Sequence, residues 1–232
     1  SSNITTTGVG SFGSLDISGD IDVDGTTNLD AVDVDGAVNF AADVTFADGA
    51  DIITATAGTS NVRVGVNAGN SIQSGGNYNT VVGDEAGTAI TTGDENVFMG
   101  YAAGDAVTTG LQNTAVGANA LSACVDSSNN TAVGRASMTA TTGAENTALG
   151  VNTLNLNVGG SHSTAVGSAA LLAQNPATAT NMYNTAVGSK AGTAVTTGVQ
   201  NTLIGGLAGD ALTTGTRNVA LGTDALGGDT QG

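Results

Sequence analysis

Residues 113–134 read NTAVGANALSACVDSSNNTAVG, and this stretch decides the architecture of most of the chain. The block Asn-Thr-Ala-Val-Gly begins at Asn113 and returns at Asn130, and this interval is the length of one unit. A period this short, repeated many times, predicts a narrow solenoid in which each coil covers its neighbour. Extending the register in both directions gives ten units, which begin at Asn61, Asn79, Asn96, Asn113, Asn130, Asn146, Ser163, Asn184, Asn201 and Asn218.

Position 5 of the unit, counted from its first residue, is glycine throughout. An invariant glycine indicates a positive φ or a close backbone approach at a corner. These structural glycines are Gly65, Gly83, Gly100, Gly117, Gly134, Gly150, Gly167, Gly188, Gly205 and Gly222.

Positions 2 to 4 predict a short strand, because position 4 is always apolar and position 2 is Thr or Val. We expect position 4 to face the interior of the coil and position 3 to face outward. Position 3 is also apolar, with Arg63 as the exception, so the outward face needs a cover. This pattern predicts association with further copies of the chain, most simply as a parallel homotrimer.

The second half of the unit leaves two structures open. Position 8 is usually Ala, position 9 alternates between Gly and Leu or Met, and position 12 is often Ile, Val or Leu. These offsets fit a short helical turn as well as a second strand. Cys124 falls at position 12, which favours a core residue over a reactive thiol. Five units close with Thr-Thr-Gly, beginning at Thr91, Thr108, Thr141, Thr196 and Thr213.

Composition supports a thin core and excludes several partners. The 232 residues include 36 Gly and no Trp, and aromatic residues make up 3%. A formal net charge of −16 would repel a nucleic-acid backbone or an anionic membrane surface. No apolar run approaches the roughly 20 residues of a membrane-spanning helix.

Composition and spacing together divide the chain into three segments. Residues 1–10 are predicted to be a flexible end, because they are rich in Ser, Thr and Gly. Residues 11–60 alternate apolar and polar side chains between glycines, which predicts a β-rich shaft segment with short strands at regular intervals. Residues 61–232 form the ten-unit solenoid.

The blocks at Asn113, Asn130 and Asn184, followed by Ala-Leu or Ala-Gly and closed by Thr-Thr-Gly, resemble repeats in the shafts of bacteriophage tail fibres. They are also similar to head repeats of trimeric autotransporter adhesins, although the adhesin repeat is usually shorter. The resemblance covers residues 61–229. It implies a parallel trimer on a virion or cell exterior that carries receptor-binding or adhesive surfaces.

Few residues suggest chemistry. Asp20, Asp22 and Asp24 match the opening of a calcium loop, but Ala31 stands where a bidentate Glu is needed, so at most a structural Ca²⁺ between chains is expected. The acidic pairs Asp84-Glu85 and Asp94-Glu95 favour solvated surface positions over a glycosidase pair. His162 is the only histidine, and we predict that it lies in a loop. We expect no cofactor and no enzymatic activity.

The 21-residue unit begins at Ser163 and contains the only Pro. We expect it to bulge from the solenoid, with Pro176 and Tyr183, together with Tyr78 in the first unit, as candidates for receptor contact. The sequence thus predicts a mainly β, solenoid-like fibre of about 17-residue coils, serving as a spacer and attachment element of a phage tail fibre. The alternatives are a cellular surface adhesin or filament subunit, an ice-binding solenoid based on the Thr-Thr pairs, and a polysaccharide depolymerase.

Overall fold

A computed structural model of the chain describes residues 56–228 and 230–231. By its contacts the chain divides into two units, Ser1–Ala50 and Asp51–Gly232, and the described residues belong to the second. The predicted segment 1–10 and most of 11–60 lie outside the described residues. Within the described ranges there are twelve short strands and no helix. The strands are β1 Val62–Val64, β2 Thr80–Val82, β3 Val97–Met99, β4 Thr114–Val116, β5 Thr131–Val133, β6 Thr147–Leu149, β7 Gly160–Ser161, β8 Thr164–Val166, β9 Thr180–Asn181, β10 Thr185–Val187, β11 Thr202–Ile204 and β12 Val219–Leu221.

Ten of these strands form one parallel sheet in the order β1-β2-β3-β4-β5-β6-β8-β10-β11-β12. Each strand pairs in register with the equivalent strand one coil later, so that Thr114 lies opposite Thr131 and Val116 opposite Val133. The remaining strands, β7 and β9, pair in a second, two-stranded parallel sheet. The repeat is therefore a parallel β-solenoid of about nine turns, and its coils have the length that the sequence predicted.

The asparagines that begin the units form a buried ladder along the solenoid. The backbone N–H of Asn96 donates to Oδ1 of Asn79 at 3.0 Å, and Nδ2 of Asn96 donates to the carbonyl of Gly110 at 2.9 Å. The same two contacts, one to the preceding asparagine and one to a backbone carbonyl of the same coil, recur for example from Asn113 and Asn201. Paired amides satisfy polar groups that would otherwise cost about 1–3 kcal/mol each when buried. The asparagine ladder thus holds successive coils in register.

The predicted orientation of the strands is wrong. Position 3 is buried in every strand of the large sheet after β1, as at Val81, Phe98 and Ala115, whereas the position 4 side chains of Met99 and Leu149 are 45% and 47% exposed. The reason is the asparagine ladder, which turns position 1 inward. Because side chains alternate along a strand, position 3 must then face inward and positions 2 and 4 outward. The apolar residues at position 4 are mostly larger than those at position 3, which had suggested that position 4 faces the core.

The glycines at position 5 mark the corner after each strand. Their φ angles lie between +121° and +140°, a region that only glycine occupies readily. A Cβ built on Gly83 would lie 2.5 Å from the carbonyl oxygen of Gly100, which is the equivalent glycine of the next coil. Glycine is therefore required here both by its φ angle and by the close stacking of successive corners.

The second half of the coil is a series of turns, so the helical alternative is wrong for the described residues. Positions 7 and 9 have positive φ in each coil, as at Asn119 and Leu121, both at +56°, and an α-helix needs negative φ. The turns direct positions 8, 9 and 12 into the core, where Ala120, Leu121 and Cys124 are fully buried. Cys124 is thus a core residue, as predicted.

The 21-residue coil replaces the missing asparagine with a glutamine. Ser163 takes the ladder position, and Oε1 of the fully buried Gln174 accepts from Nδ2 of Asn184 at 2.9 Å. The side chain of Gln174 also contacts the Ser163 hydroxyl and donates to Oδ1 of Asn157 at 3.2 Å. The polar ladder therefore continues through the one coil that departs from the repeat.

Candidate functional site

The outward side of the ten-stranded sheet carries the side chains at positions 2 and 4, and we call it the outer sheet face. At position 2 it has Thr or Val, and at position 4 it has Val, Met, Leu or Ile. Its side chains are half-buried in the middle of the stack and reach 76% exposure at Val219 and Leu221. Neither position carries a charged residue in any of the ten strands. The outer sheet face is therefore a continuous, uncharged and largely apolar surface.

A column of varied side chains lies at the corner before the first residue of each unit, and we call it the corner column. Its residues adopt positive φ, for example +56° at Tyr78 and +50° at Tyr183. Neighbours along the column interact, since Nε2 of Gln112 donates to Oε2 of Glu95 at 2.9 Å. The corner column consists of Ser60, Tyr78, Glu95, Gln112, Asn129, Glu145, His162, Tyr183, Gln200 and Arg217.

His162 lies in this column between a carboxylate and an aromatic ring. Its Nδ1 is 3.1 Å from Oε2 of Glu145. On its other side the ring of Tyr183 stacks with a centroid distance of 5.0 Å and an interplanar angle of 12°. The Tyr183 hydroxyl accepts from Nδ2 of Asn181 at 3.4 Å. The position of His162 was predicted as a loop, and its stacking partner was not predicted.

The 21-residue coil is built into the solenoid more deeply than predicted. Pro176 and Met182 are buried, and Thr180–Asn181 forms the strand β9. Of the three predicted contact residues, Tyr78 and Tyr183 are 59% and 51% exposed, while Pro176 offers little surface. The structure places Tyr78 and Tyr183 at equivalent corners of different coils.

A groove of about 320 Å³ opens where the 21-residue coil passes its two preceding neighbours. Its walls come from Thr142-Gly143-Ala144, from Val158, Gly159 and Ser161, and from 176–179. The Thr142 hydroxyl donates to the Val158 carbonyl, and the Ser161 hydroxyl accepts from the backbone N–H of Ala144 at 3.1 Å. The groove thus presents hydroxyl and backbone groups beside small apolar side chains.

The acidic pairs link successive coils. Oε1 of Glu85 accepts from Nδ2 of Asn67 at 2.8 Å, and Asp94 accepts from the backbone N–H of Asn77. Among residues 56–228 and 230–231, no three His, Cys, Asp or Glu side chains are grouped as a metal site requires. The calcium candidates Asp20, Asp22 and Asp24 lie outside the described residues. The same ranges contain no helix long and apolar enough to span a membrane.

The closing threonines are structural in the coils where their contacts are described. Hydroxyls of Thr91, Thr108, Thr196 and Thr213 each donate to a backbone carbonyl of the following coil. In the 16-residue coil Thr142 makes this bond instead of Thr141, because Thr141 is shifted into the core. The Thr141 hydroxyl is fully buried there without a hydrogen-bond partner.

Burial raises the pKa of the Cys124 thiol. Its Sγ lies 3.6 Å from the Ser127 carbonyl oxygen. The thiol therefore stays protonated, and thus weakly nucleophilic, to higher pH than an exposed cysteine.

No protein-family model, curated protein or solved structure matches the chain.

Proposed function

We propose that this chain is a structural segment of a fibre on the outside of a virion, most simply a phage tail fibre, with a passive role as spacer and in host attachment. Its copies assemble as a parallel homotrimer through the outer sheet face. The role is mechanical and adhesive, without catalysis or a bound cofactor.

The observation that carries the proposal is the outer sheet face. Ten strands spaced by about 4.8 Å give it a length of roughly 43 Å, over which the apolar side chains range from half-buried to largely exposed. Contiguous apolar surfaces on this scale mark interaction sites in soluble proteins. The sequence predicted an apolar outward face formed by position 3. The sheet has an apolar outward face, but positions 2 and 4 form it. An apolar face that needs a cover therefore stays part of the proposal.

Charge favours further copies of the same chain as the cover. A net charge of −16 makes two copies repel each other over most of their surfaces. The outer sheet face has no charged side chain at positions 2 and 4, so contact there avoids close like-charge pairs. Cyclic symmetry along the solenoid axis would place equal coils of parallel copies side by side. Three copies arranged in this way would bury the face around a common axis.

The first test is the mass of the protein in solution by light scattering. We expect a particle with three times the 22.2 kDa mass of one chain. A stable monomer would overturn the assembly, and a dimer would keep the interface but overturn the threefold arrangement.

A matched pair of variants tests the surface. The double variant Val116→Glu and Val133→Glu adds two charges to the outer sheet face and should dissociate the trimer. Asn129→Glu and Gln200→Glu add the same charges to the corner column and should leave the mass unchanged. Circular dichroism of each variant separates loss of assembly from loss of folding.

A second function competes for the same face. Position 2 is Thr in six consecutive strands of the large sheet, from β4 to β11, so hydroxyl and methyl groups recur at about 4.8 Å. A regular rank of this kind can order water, which keeps ice binding as an alternative. Thermal hysteresis by a monomeric protein would support ice binding. Its absence, together with a trimeric mass, would support the fibre.

A further inference from the structure

The groove beside the 21-residue coil interrupts an otherwise regular solenoid. The extra length of this coil lets the segment 176–179 pass over the ends of the two preceding coils. Pro176 is buried at the start of this segment, and β9, which directly follows the segment, pairs with β7 of the preceding coil. The groove is therefore a built feature, and its volume of about 320 Å³ lies within the range of ~300–1,000 Å³ typical of small-molecule sites.

The lining of the groove selects for an uncharged, hydroxylated ligand. Its side chains are hydroxyl groups of Thr and Ser, the methyl groups of Ala and Val and the ring of Pro176, with no charged group among them. Since Ser161 accepts through its oxygen, its hydroxyl proton is able to point to a ligand. A charged ligand entering here would lose hydration without gaining a partner charge. A ligand with its own hydroxyls and C–H faces would find both kinds of contact.

An aromatic ring stands at the corner next to the groove. Tyr183 follows β9 and stacks on His162, which comes directly after the groove residue Ser161, so the stacked pair lies at the corner beside the groove. One face of the ring is covered by His162, and the residue is still 51% exposed. Aromatic faces pack against apolar C–H surfaces, and the tyrosine hydroxyl adds a polar contact.

We propose that the groove, with Tyr183 at its rim, binds a neutral saccharide unit of a surface glycan. This inference rests on the proposed function, because it gives the attachment role of the fibre a site and a class of ligand. The groove lies on the side of the coil before the corner, whereas the outer sheet face lies after it. Saccharide binding and assembly therefore use different surfaces of the same coils.

The test uses the assembled full chain and soluble probes. Saturation-transfer NMR with glucose, galactose, mannose, N-acetylglucosamine and their disaccharides identifies a binder, and titration gives its affinity. We expect at least one neutral saccharide to bind, and Ala179→Trp, which fills the groove, to abolish binding. Ala123→Trp, at an exposed alanine outside the groove, is the matched control and should bind normally.

A second pair of variants tests the rim. Tyr183→Ala should weaken binding by about two- to tenfold, as expected for one lost ring contact. Tyr78→Ala removes a similarly exposed tyrosine from the equivalent corner of another coil and should change nothing. The inference is wrong if no neutral saccharide binds, if Ala179→Trp binds like the natural chain, or if sialic acid binds better than every neutral probe.

Light scattering of the same samples distinguishes a failure of the saccharide site from a failure of the trimeric assembly. A trimer that binds no saccharide would overturn the groove as a site and leave the fibre standing. A monomer that binds saccharide through the groove would overturn the assembly alone.

Discussion

Two kinds of coil occur along the solenoid, and they differ at position 9. Among the first nine coils, five have glycine there, and we call them glycine coils. The four successive coils between them have Leu121, Met138, Leu154 or Leu171, and we call them leucine coils. In the glycine coils position 12 is Ile, Val or Leu. In the leucine coils it is smaller or polar, namely Cys124, Thr141, Asn157 and Gln174.

Packing explains why the two positions change together. A Cβ on Gly104 would lie 2.6 Å from the ring of Phe98, and a Cβ on Gly87 would lie 2.7 Å from Cδ1 of Ile90. In these glycine coils, side chains from positions 3 and 12 occupy the space that leucine fills elsewhere. Protein interiors are packed to nearly constant density. The total side-chain volume inside a coil is therefore constrained, and the volume at any one position depends on the others. A substitution must therefore be judged against its partners in the same coil.

The largest effect is expected from emptying a leucine coil. Leu121→Ala should lower the free energy of unfolding by about 2–5 kcal/mol, because position 3 of that coil is already the small Ala115 and nothing can fill the cavity. Chemical denaturation measures the change, with Val125→Ala at a half-exposed site as the control. A loss of less than about 1 kcal/mol in the free energy of unfolding would show that the coil collapses around the cavity, which would contradict a fixed interior volume.

Converting one kind of coil into the other should cost less. Gly104→Leu should destabilise by about 1–3 kcal/mol through crowding against Phe98. The backbone adds to this cost, because Gly104 lies at φ +59°, where a residue with a side chain is strained; Leu121 at +56° shows that a coil can tolerate that strain. Adding Phe98→Ala should recover part of the loss. If the double variant is as unstable as the sum of the two single variants, positions 3 and 9 do not share space.

Thr141 offers a smaller change in the opposite direction. Its buried hydroxyl has no partner, so Thr141→Val should raise the free energy of unfolding by about 1 kcal/mol. Thr142→Val is the matched control and should be destabilising, because it removes the hydrogen bond to the Val158 carbonyl. Equal effects of the two variants would contradict the assignment of Thr141 to the core.

The smallest effect concerns Cys124 and alkaline pH. Because burial raises the pKa of its thiol in the folded chain, the unfolded chain ionises first as pH rises. The contribution of Cys124 to stability is therefore complete at neutral pH and declines above the pKa of an exposed thiol. Subtracting the stability of Cys124→Ala from that of the natural chain, from about pH 8 to about pH 10, should reveal the decline. A flat difference would mean that the thiol is solvated in the folded state.

Sequence periodicity was enough to predict the solenoid, its coil length and the core position of Cys124. It was not enough for the phase of the strands, because both position 3 and position 4 are apolar and only the inward amide of the asparagine distinguishes them. The turns at positions 7 and 9 were also missed, since Leu121 and Met138 adopt positive φ that their residue types do not suggest. The groove depends on contacts between three coils, and no local pattern within one coil reveals it.

The asparagine ladder bears on how the protein can change in length. Apart from the 21-residue coil, each coil bonds to the previous one through the same amide contact, so a whole coil can be duplicated or deleted without leaving a ladder contact unmade. Every such event would alter the reach of the solenoid by one strand spacing, ~4.8 Å. Duplication or deletion of the gene segment that encodes one coil would therefore change the length of the solenoid in equal steps. The coil that contains Gln174 is the exception, because Gln174 replaces the asparagine in its contact with the next coil, and this coil cannot be exchanged with its neighbours.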